Sequence, residues 1–338
     1  MGHFASAKIL TGATMPETPV VLLSGADLRR LLRPQTTIRA LREAYSALAS
    51  NRDDQGRSVV FTVEGGSIPF KSGLLPGSHL AFASKANVNL PDDAKPRGLP
   101  TIQGIVVVPN AKHGRPLAVM NSVALTGIRT AATAALAAQS GADRAAIIGC
   151  GAQARYELDA MRSVFALKAV RVFDTARAEA FAAANSPSDC STTAAPSISA
   201  AVADADVCIT CTTCKASVLA HDLTGCFIAA VGADNPEKHE IAPGLMQLAR
   251  ILVDDVEACA SGGENHALRL GVVTKDRVHA DLAELASGRK QGRFAGDEHV
   301  IFDSSGSDVQ DVAAAWAAYQ EAVRTGVGLR FDLSGNGA

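Results

Sequence analysis

Three charged residues have the types and positions needed to act on a small carboxylate substrate. Arg129 lies in an otherwise apolar segment, and its guanidinium could hold a carboxylate through two parallel hydrogen bonds. Lys85 is likewise a basic residue near apolar neighbours. Asp234 follows the apolar run at 227–231, so we expect it at the carboxyl end of a strand, where an acid/base group is useful. Alternatives stay open: either base can be a solvated surface charge, and Asp234 can cap the next helix.

A glycine-bearing turn within residues 145–154 predicts a dinucleotide site. Four apolar residues form a buried strand, and the pattern Gly149-x-Gly151-x-x-Ala154 turns it into a helix. The first glycine permits the tight turn, and the second lets the backbone approach a pyrophosphate at the helix N-terminus. Asp174 ends the next apolar run, 25 residues after Gly149, which is about where an acid binds the ribose hydroxyls. The alternative is a glycine turn in another kind of α/β sheet.

The acidic residue also bears on which dinucleotide binds. Asp174 would repel a 2′-phosphate, so the sequence favours NAD(H). Arg177 stands three residues further on and could accommodate a 2′-phosphate if the loop turns back. NADP(H) therefore stays open as the alternative cofactor.

Length and composition limit the class of protein. A chain of 338 residues is long enough for two domains, each with its own core. The formal net charge is −2 and 20% of the residues are charged, so nothing points to nucleic acid or an anionic membrane. Residues 1–16 do not resemble a signal peptide, and no apolar run reaches the roughly 18 residues of a membrane span. We expect a soluble, cytoplasmic protein that acts on a small molecule.

The cysteines do not predict a metal site. Seven of them, an odd number, in a chain without a signal peptide argue against a disulfide framework. Three form Cys208-x-x-Cys211-x-x-Cys214, a spacing similar to an iron–sulfur run. The surrounding residues alternate as in a strand, which would point Cys208 and Cys211 to opposite faces, and a fourth ligand at the usual spacing is missing. We therefore expect no bound metal.

Residues 17–125 have the pattern of a helix packed on a sheet. The leucines of residues 25–50 recur at helical spacing and predict one long helix. Arg57 stands in a polar loop, and Lys85 opens a polar segment at the end of a strand. Strands of a mixed or mostly antiparallel sheet are expected at 20–24, 58–63, 79–84, 102–108 and 116–120.

From residue 126 the pattern changes to strands that alternate with helices, which predicts a parallel, doubly wound sheet. A helix at 126–138 carries Arg129. Residues 186–199 are rich in Ser, Thr, Ala and Pro and predict a surface loop, and a last helix at 308–325 could return to the first domain. Strands are expected at 145–148, 169–173, 207–212, 227–231, 251–253 and 299–302.

At these residues the chain resembles the ornithine cyclodeaminase/μ-crystallin family. The resemblance extends from about residue 20 to residue 328. Lys85, with Asn87, and Arg57 match the family's substrate-site lysine and N-terminal arginine. The most specific matching pieces, in one-letter code, are GIRTAA at 127–132, IGCGAQ at 148–153, GADNPEK at 232–238 with Glu240, and FDSSG at 302–306.

The resemblance implies an α/β fold in which a doubly wound Rossmann domain is inserted into a mixed α+β domain for substrate binding and dimerisation. The Rossmann domain would span residues 126–307. The substrate domain would combine residues 17–125 with residues 308–338, and residues 1–16 would form a loose extension. The implied partners are a cyclic imino acid or an amino acid, and a second copy of the chain in a homodimer.

The resemblance also implies roles for individual residues. Arg57, Lys85 and Arg129 would hold the substrate carboxylate, and Asp234 would be the acid/base, with Lys85 as a second catalytic residue. The loop at Gly306 would close over the nicotinamide. The residues expected to contact the dinucleotide are Thr130, Gly149, Gly151, Ala152, Gln153, Asp174, Arg177, Thr212, Val231, Gly232, Ser305 and Gly306.

Members of this family catalyse several reactions, and one position helps to choose among them. Cyclodeaminases carry a glutamate near the segment that corresponds to residues 73–76, where this chain has Ser72 or Gly73. Members without that glutamate tend to reduce cyclic ketimine acids. The resemblance therefore favours NAD(P)H-dependent reduction of Δ1-pyrroline-2-carboxylate to L-proline, or of the six-membered Δ1-piperideine-2-carboxylate to L-pipecolate.

Two alternatives remain. One is another enzyme of the family, either an ornithine cyclodeaminase that forms L-proline and ammonia or an alanine-type amino-acid dehydrogenase. The other is a crystallin-like protein that binds a nucleotide without catalysis. Lys85, Arg129 and Asp234 are all present, which favours an enzyme.

Overall fold

The fold is built on two β-sheets. This computed structural model describes residues 19–52, 56–76, 78, 81–90, 95–138, 141–220, 223, 225–233, 237–262, 271–292 and 299–333. Within these ranges the first sheet has seven strands and the second has eight.

The first sheet is mixed. Its strands are β1 (Val20–Leu23), β2 (Arg57–Val63), β3 (Gly66–Leu74), β4 (Phe82–Asn89), β5 (Ile102–Pro109), β6 (Pro116–Asn121) and β15 (Leu329–Phe331). They lie in the order β15-β1-β6-β5-β4-β3-β2. The β1/β6 pair is parallel, and the other neighbouring pairs are antiparallel.

The second sheet is parallel throughout. Its strands are β7 (Arg144–Ile148), β8 (Ala169–Phe173), β9 (Ser191–Ala194), β10 (Val207–Thr210), β11 (Phe227–Ala230), β12 (Arg250–Val253), β13 (Val278–Asp281) and β14 (Val300–Asp303). The order β13-β12-β14-β11-β10-β7-β8-β9 places β8 and β10 on opposite sides of β7. This is the switch point of a doubly wound sheet, where ligands bind at the carboxyl ends of the strands.

The helices cover both sheets. They are α1 (Gly25–Leu31), α2 (Pro34–Leu48), α3 (Ser122–Ala138), α4 (Ala152–Val164), α5 (Ala178–Ala184), α6 (Ile198–Val202), α7 (Pro243–Leu248), α8 (Val256–Gly262), α9 (Leu282–Ala286) and α10 (Asp308–Thr325). No helix of the described ranges is long and apolar enough to cross a membrane.

Helix α3 belongs to both hydrophobic cores. Leu125 and Ile128 pack in the core of the first sheet, whereas residues 131–138, mostly alanines, pack in the core that contains the second sheet. Small side chains let the helix approach its neighbours closely. At Gly127 a β-carbon would be 2.4 Å from the Tyr156 ring of α4, so the crossing of these two helices requires glycine.

The two faces of the first sheet differ in character. One face packs against α3 and α10 and carries Lys71 and Lys85. The other, which we call the open face, begins with Arg57 on β2. Its large exposed apolar residues are Val59, Phe61, Val63, Phe70, Leu74, Ile105 and Val107, between 36% and 56% exposed.

The chain end returns to the first sheet. The helix expected at 308–325 is confirmed as α10, which packs on α2 and on β3 and β4. After it, β15 pairs with β1, with Phe331 opposite Val20. The division into domains at residues 125, 126, 307 and 308 stays a prediction.

Several local expectations were wrong. The single helix expected at 25–50 is two helices, because Pro34 starts α2 at a position that favours proline. Strand β3 was not expected, since its run contains Pro69 and glycines. The loop expected at 186–199 contains β9, and β13 and β15 were also missed.

The strand expected at 79–84 begins at Phe82 and continues to Asn89, which changes the position of Lys85. This residue lies inside β4 rather than at its end. Arg129 lies inside α3, which begins at Ser122 rather than at 126. Both side chains are buried, so the alternative of solvated surface charges was wrong.

Candidate active site

Lys85 and Arg129 meet on the carboxylate of Asp311. The Lys85 ammonium nitrogen lies 2.6 Å from one carboxylate oxygen, and Arg129 Nε donates to the other at 2.9 Å. All three side chains are at most 5% exposed. Strand β4 and helices α3 and α10, far apart in the chain, each supply one residue. The cluster therefore connects a strand of the first sheet to helix α3 and to the late helix α10.

Burial and the neighbouring charges shift the pKa values of Lys85 and Asp311. Desolvation lowers the pKa of Lys85 to about 7, and the charges of Arg129 and Lys71 act in the same direction, against the attraction of Asp311. Burial acts to raise the pKa of Asp311, but Lys85 and Arg129 lower it below the usual value. Near neutral pH, Lys85 is thus divided between its charged and neutral forms. A bound carboxylate would favour the charged form.

The loop that follows β14 is held by Asp254. One carboxylate oxygen of Asp254 accepts hydrogen bonds from Gly306 N at 2.7 Å, Ser304 Oγ at 2.9 Å and Gln310 Nε2 at 2.9 Å. The side-chain oxygen of Gln310 accepts from the Arg129 guanidinium. The loop and the guanidinium are therefore parts of one hydrogen-bonded network.

Gly306 must be glycine for two reasons. Its φ of 82° lies in the left-handed region. A β-carbon there would also be 2.8 Å from both terminal nitrogens of Arg129. The loop thus passes directly over the guanidinium.

Lys71 is a third cation of this cluster, and the sequence analysis did not single it out. It lies directly opposite Lys85 in the antiparallel β3/β4 pair, so both side chains leave the same face of the sheet. Lys71 Nζ donates to the backbone carbonyl of Gly306 at 2.5 Å. Its charge contributes to lowering the pKa of Lys85 and of Asp311, as expected for a near neighbour.

The turn between β7 and α4 fits a pyrophosphate. Gly149 has a φ of 97°, and a β-carbon there would be 2.9 Å from the Cys211 carbonyl oxygen. Gly151 is the N-cap of α4, has no side-chain cap, and would place a β-carbon in open space. Because the first N–H groups of a helix have no intrahelical partner, those of Ala152 and Gln153 can bind a phosphate there.

Asp174 follows β8, and backbone groups orient its carboxylate. One oxygen accepts from Cys150 N at 2.9 Å, and the other accepts from Ala176 N at 2.9 Å and Arg177 N at 3.0 Å. Burial acts to raise the pKa of Asp174, but these N–H donors and the Arg177 charge lower it. The ionised carboxylate lies beside the glycine turn, where a ribose-binding acid is expected. Arg177 itself is exposed.

Glu240 joins the carboxyl ends of β10 and β11. It is fully buried and accepts hydrogen bonds from Thr212 N at 2.6 Å, Thr210 Oγ1 at 2.8 Å and Gly232 N at 2.8 Å. Two backbone segments at the edge of the dinucleotide crevice are thereby fixed. Asp234 lies two residues beyond Gly232, outside the described residues, and its acid/base role stays a prediction.

A second buried acid connects the dinucleotide turn to α3. Gln153 Nε2 donates to Glu157 at 2.7 Å and to the Gly127 carbonyl at 3.2 Å. Burial raises the pKa of Glu157 to about 8, against the opposing effects of Gln153 and Arg129. Glu157 is therefore mostly protonated at neutral pH.

The remaining expected dinucleotide contacts lie on the same elements. Thr130 is buried next to Arg129 in α3, Val231 directly follows β11, and Ser305 N donates to Asp254 at 3.4 Å. Their contacts with a dinucleotide stay predictions.

Arg57 does not join the other two carboxylate-binding candidates. Its cross-strand partner is Ser72, so its side chain leaves the open face, whereas Lys85 leaves the opposite face. The Arg57 side chain is exposed. The structure therefore brings together Lys85 and Arg129, and the role of Arg57 stays a prediction.

Four residues of the site were missed by the sequence analysis: Lys71, Glu157, Asp254 and Asp311. Asp311 had a usable signal, because it stands beside Val312 and Ala313 among the apolar residues of a predicted helix. Lys71 had no such signal, because β3, the strand that carries it, was not predicted.

A model of the family described as "Ornithine cyclodeaminase/mu-crystallin family" matches residues 26–326. Three solved structures are similar over nearly the whole chain. An archaeal alanine dehydrogenase dimer with bound NAD is 30% identical, with a TM-score of 0.85 over 93% of this chain and 99% of that one. The Δ1-pyrroline-2-carboxylate reductase of Thermococcus litoralis, in complex with NADH and L-proline, is 27% identical, with a TM-score of 0.85 over 92% and 100%. The iminosuccinate reductase of Paracoccus denitrificans, in complex with NAD+, is 25% identical, with a TM-score of 0.81 over 93% and 100%.

Proposed function

Because the chain belongs to the ornithine cyclodeaminase/mu-crystallin family, we propose that it reduces the C=N bond of a 2-imino carboxylate with NADH. The three solved relatives are named for alanine, pyrroline-2-carboxylate and iminosuccinate. The imine forms of these compounds share a C=N bond next to a carboxylate. That shared group is the substrate feature we assign to this site.

The observation that carries the proposal is the buried pair of cations, Lys85 and Arg129, beside the Gly306 loop. In a 2-imino carboxylate the reacting carbon is bonded to the carboxylate carbon. Cations that hold the carboxylate therefore also fix the reacting carbon, which is catalysis by positioning. Charge-assisted hydrogen bonds from both residues make this orientation specific.

The chemistry requires one hydride and one proton. NADH, held through its pyrophosphate at the Gly149–Gly151 turn, would supply the hydride for the imine carbon. Nitrogen takes the proton, for which Asp234 is the proposed relay. Lys85 and Arg129 hold the carboxylate, and the Gly306 loop lies against the guanidinium.

Δ1-Pyrroline-2-carboxylate is the first substrate to test, and the six-membered homologue is the second. Cyclodeamination is the second candidate, because β3 carries Lys71 and Gly73 next to the site and has no counterpart of the cyclodeaminase glutamate. The carboxylate that lies near Gly73 is that of Asp308, which comes from α10. Within the described part of β3 no acidic residue is present.

We further infer that the open face is covered by a second copy of the chain. Seven large apolar side chains of β2, β3 and β5 are exposed together on it, and patches of this kind mark interaction sites. Phe61→Asp, at the centre of β2, should give a monomer in light scattering, whereas Val164→Asp, an exposed apolar residue of α4, should not. Equal effects of the two variants would contradict the homodimer.

The function itself is tested by following the absorbance of NADH with purified protein and Δ1-pyrroline-2-carboxylate. We expect stoichiometric oxidation of NADH and formation of L-proline. Absence of oxidation, together with ammonia release from ornithine in the presence of catalytic NAD, would overturn the proposal in favour of a cyclodeaminase.

A further inference from the structure

We propose that Lys71 binds a second carboxylate, carried by the side chain of the substrate, so that the enzyme prefers 2-imino dicarboxylates to 2-imino monocarboxylates. This inference rests on the proposed imine reductase function and names its substrate class. It assigns to Lys71 a specificity-determining contact.

The three cations of the site differ in their anionic partners. Lys85 and Arg129 both contact the carboxylate of Asp311. Lys71, which is half-buried, contacts the neutral carbonyl of Gly306 instead. The α-carboxylate of a substrate would be held by Lys85 and Arg129, which leaves Lys71 as the cation able to pair with a second carboxylate.

Neighbouring acids are engaged elsewhere. Asp254 accepts its hydrogen bonds from neutral donors, among them Gly306 N. Asp308, whose carboxylate lies over Gly73, accepts from Gly56 N at 2.7 Å. Among the described residues, Lys71 forms no ion pair with either acid.

The register of β3 and β4 places two lysines side by side, which destabilises the sheet unless anions are bound nearby. Lys71 and Lys85 are directly opposite each other in an antiparallel pair, and like charges in such positions destabilise a sheet. Asp311 relieves the repulsion on the Lys85 side. A carboxylate bound by Lys71 would relieve it on the other side.

Lys71 is positioned to act on the same ligand as Arg129. Its ammonium donates to the carbonyl of Gly306, and Arg129 lies against the α-carbon of the same residue. An ammonium has three N–H donors, so the bond to Gly306 leaves two for a ligand. Both cations therefore lie against the same residue, so a short diacid could contact both.

The test compares two open-chain imines that differ by one carboxylate. They form in solution when ammonium is mixed with oxaloacetate or with pyruvate, and mixtures without ammonium serve as blanks. NADH oxidation gives kcat/KM for each with wild type, Lys71→Met, Lys71→Arg and the control Lys112→Met, which changes an exposed lysine of a turn. The two imines form to different extents in solution. Comparing the oxaloacetate-to-pyruvate ratio of kcat/KM between a variant and the wild type cancels this difference.

We expect wild type to prefer the oxaloacetate imine. Lys71→Met should lower the oxaloacetate-to-pyruvate ratio of kcat/KM by roughly 10- to 100-fold, the effect of losing one charge-assisted hydrogen bond. Lys71→Arg should retain part of the ratio, and Lys112→Met should retain all of it. A wild-type preference for pyruvate imine, or an equal loss for both imines in Lys71→Met, would overturn the proposal and make Lys71 a tether of the Gly306 loop.

If no imine is reduced at all, the proposed function fails, and binding still tests the Lys71 site. The NAD+-loaded protein is titrated calorimetrically with succinate and with propionate, which also differ by one carboxylate. Succinate binding at least about tenfold tighter, with the difference lost in Lys71→Met, would support the second-carboxylate site. Equal affinities for the two acids would overturn it.

Discussion

Arg129 lies so close to Gly306 that a β-carbon on Gly306 would be 2.8 Å from both terminal nitrogens of the guanidinium. The loop after β14 and the Arg129 side chain therefore cannot be adjusted independently. Asp254 fixes the loop through Gly306 N, and Gln310 connects Asp254 to Arg129. Small changes in this loop should appear in catalysis before they appear in stability.

Gly306→Ala should lower kcat/KM by roughly 100-fold, because a shift of about 1 Å at a positioning group can cost that much. The matched control is Gly326→Ala, which has a similar φ of 74° but places its β-carbon in open space. Both variants should lose about 1–2 kcal/mol of stability from backbone strain in urea unfolding. Equal activity of the two variants would contradict the assigned role of Gly306.

The activity should fall as the pH rises through about 7. Lys85 must be protonated to bind a carboxylate, and its pKa in the free protein is about 7. Loss of the proton above that value lowers kcat/KM, which reports the free enzyme. The bound carboxylate raises the pKa of Lys85, so the fall in kcat should come at higher pH. Coincident profiles for kcat and kcat/KM would argue against Lys85 as the titrating group.

Arg129→Ala should raise the substrate KM by about 100-fold, because it removes a buried charge-assisted contact with the carboxylate. The dissociation constant of NADH, measured by fluorescence, should change by less than about twofold. Arg129→Lys keeps the charge but not the planar, two-pronged guanidinium. Its substrate KM should lie between those of the wild type and Arg129→Ala. Comparable losses of substrate and NADH affinity would remove Arg129 from the substrate site.

Asp174→Asn should reduce the preference for NADH over NADPH by roughly tenfold, because it removes a negative charge near the expected position of a 2′-phosphate. The amide oxygen can still accept from Ala176 N and Arg177 N, whereas the hydrogen bond from Cys150 N to the other carboxylate oxygen is lost. The measurement is the ratio of kcat/KM for the two cofactors. An unchanged ratio would exclude Asp174 from the ribose site.

Glu157→Gln should stabilise the protein at alkaline pH. Burial raises the pKa of Glu157 to about 8 in the folded protein, from an ordinary value of 4.5, so the unfolded chain binds fewer protons between these values. The free energy of unfolding therefore falls as pH rises from about 4.5 to about 8, at most by about 1.4 kcal/mol per pH unit. The measurement is the free energy of unfolding in urea at about pH 4.5 and about pH 8. Between these two pH values it should fall less for Glu157→Gln than for the wild type. An identical decline in both proteins would contradict the raised pKa.

Elements that depend on neighbouring residues are predictable from the sequence. The Gly149–Gly151 turn, the parallel sheet and helix α10 each follow from neighbouring residues, and each is confirmed. In such elements, side-chain periodicity and backbone requirements act within a few residues.

Prediction from the sequence fails where a partner lies far along the chain. Lys85 and Asp311 are joined only after α10 returns to β4, so nothing near Lys85 in the sequence indicates its burial. Strand β3 was missed because its exposed face is apolar, its helix-facing side carries Lys71 and Gly73, and Pro69 interrupts it. Apolar side chains therefore did not mark the buried side of this strand.

The pairing of β15 with β1 has a consequence for biosynthesis. All strands of the parallel sheet lie between Arg144 and Asp303, so that sheet can assemble while the chain is still being synthesised. The first sheet gains β15, and Lys85 gains Asp311, only when residues 308–331 have left the ribosome. The glycine turn of the parallel sheet can therefore form before the buried cluster of Lys85, Arg129 and Asp311 is complete.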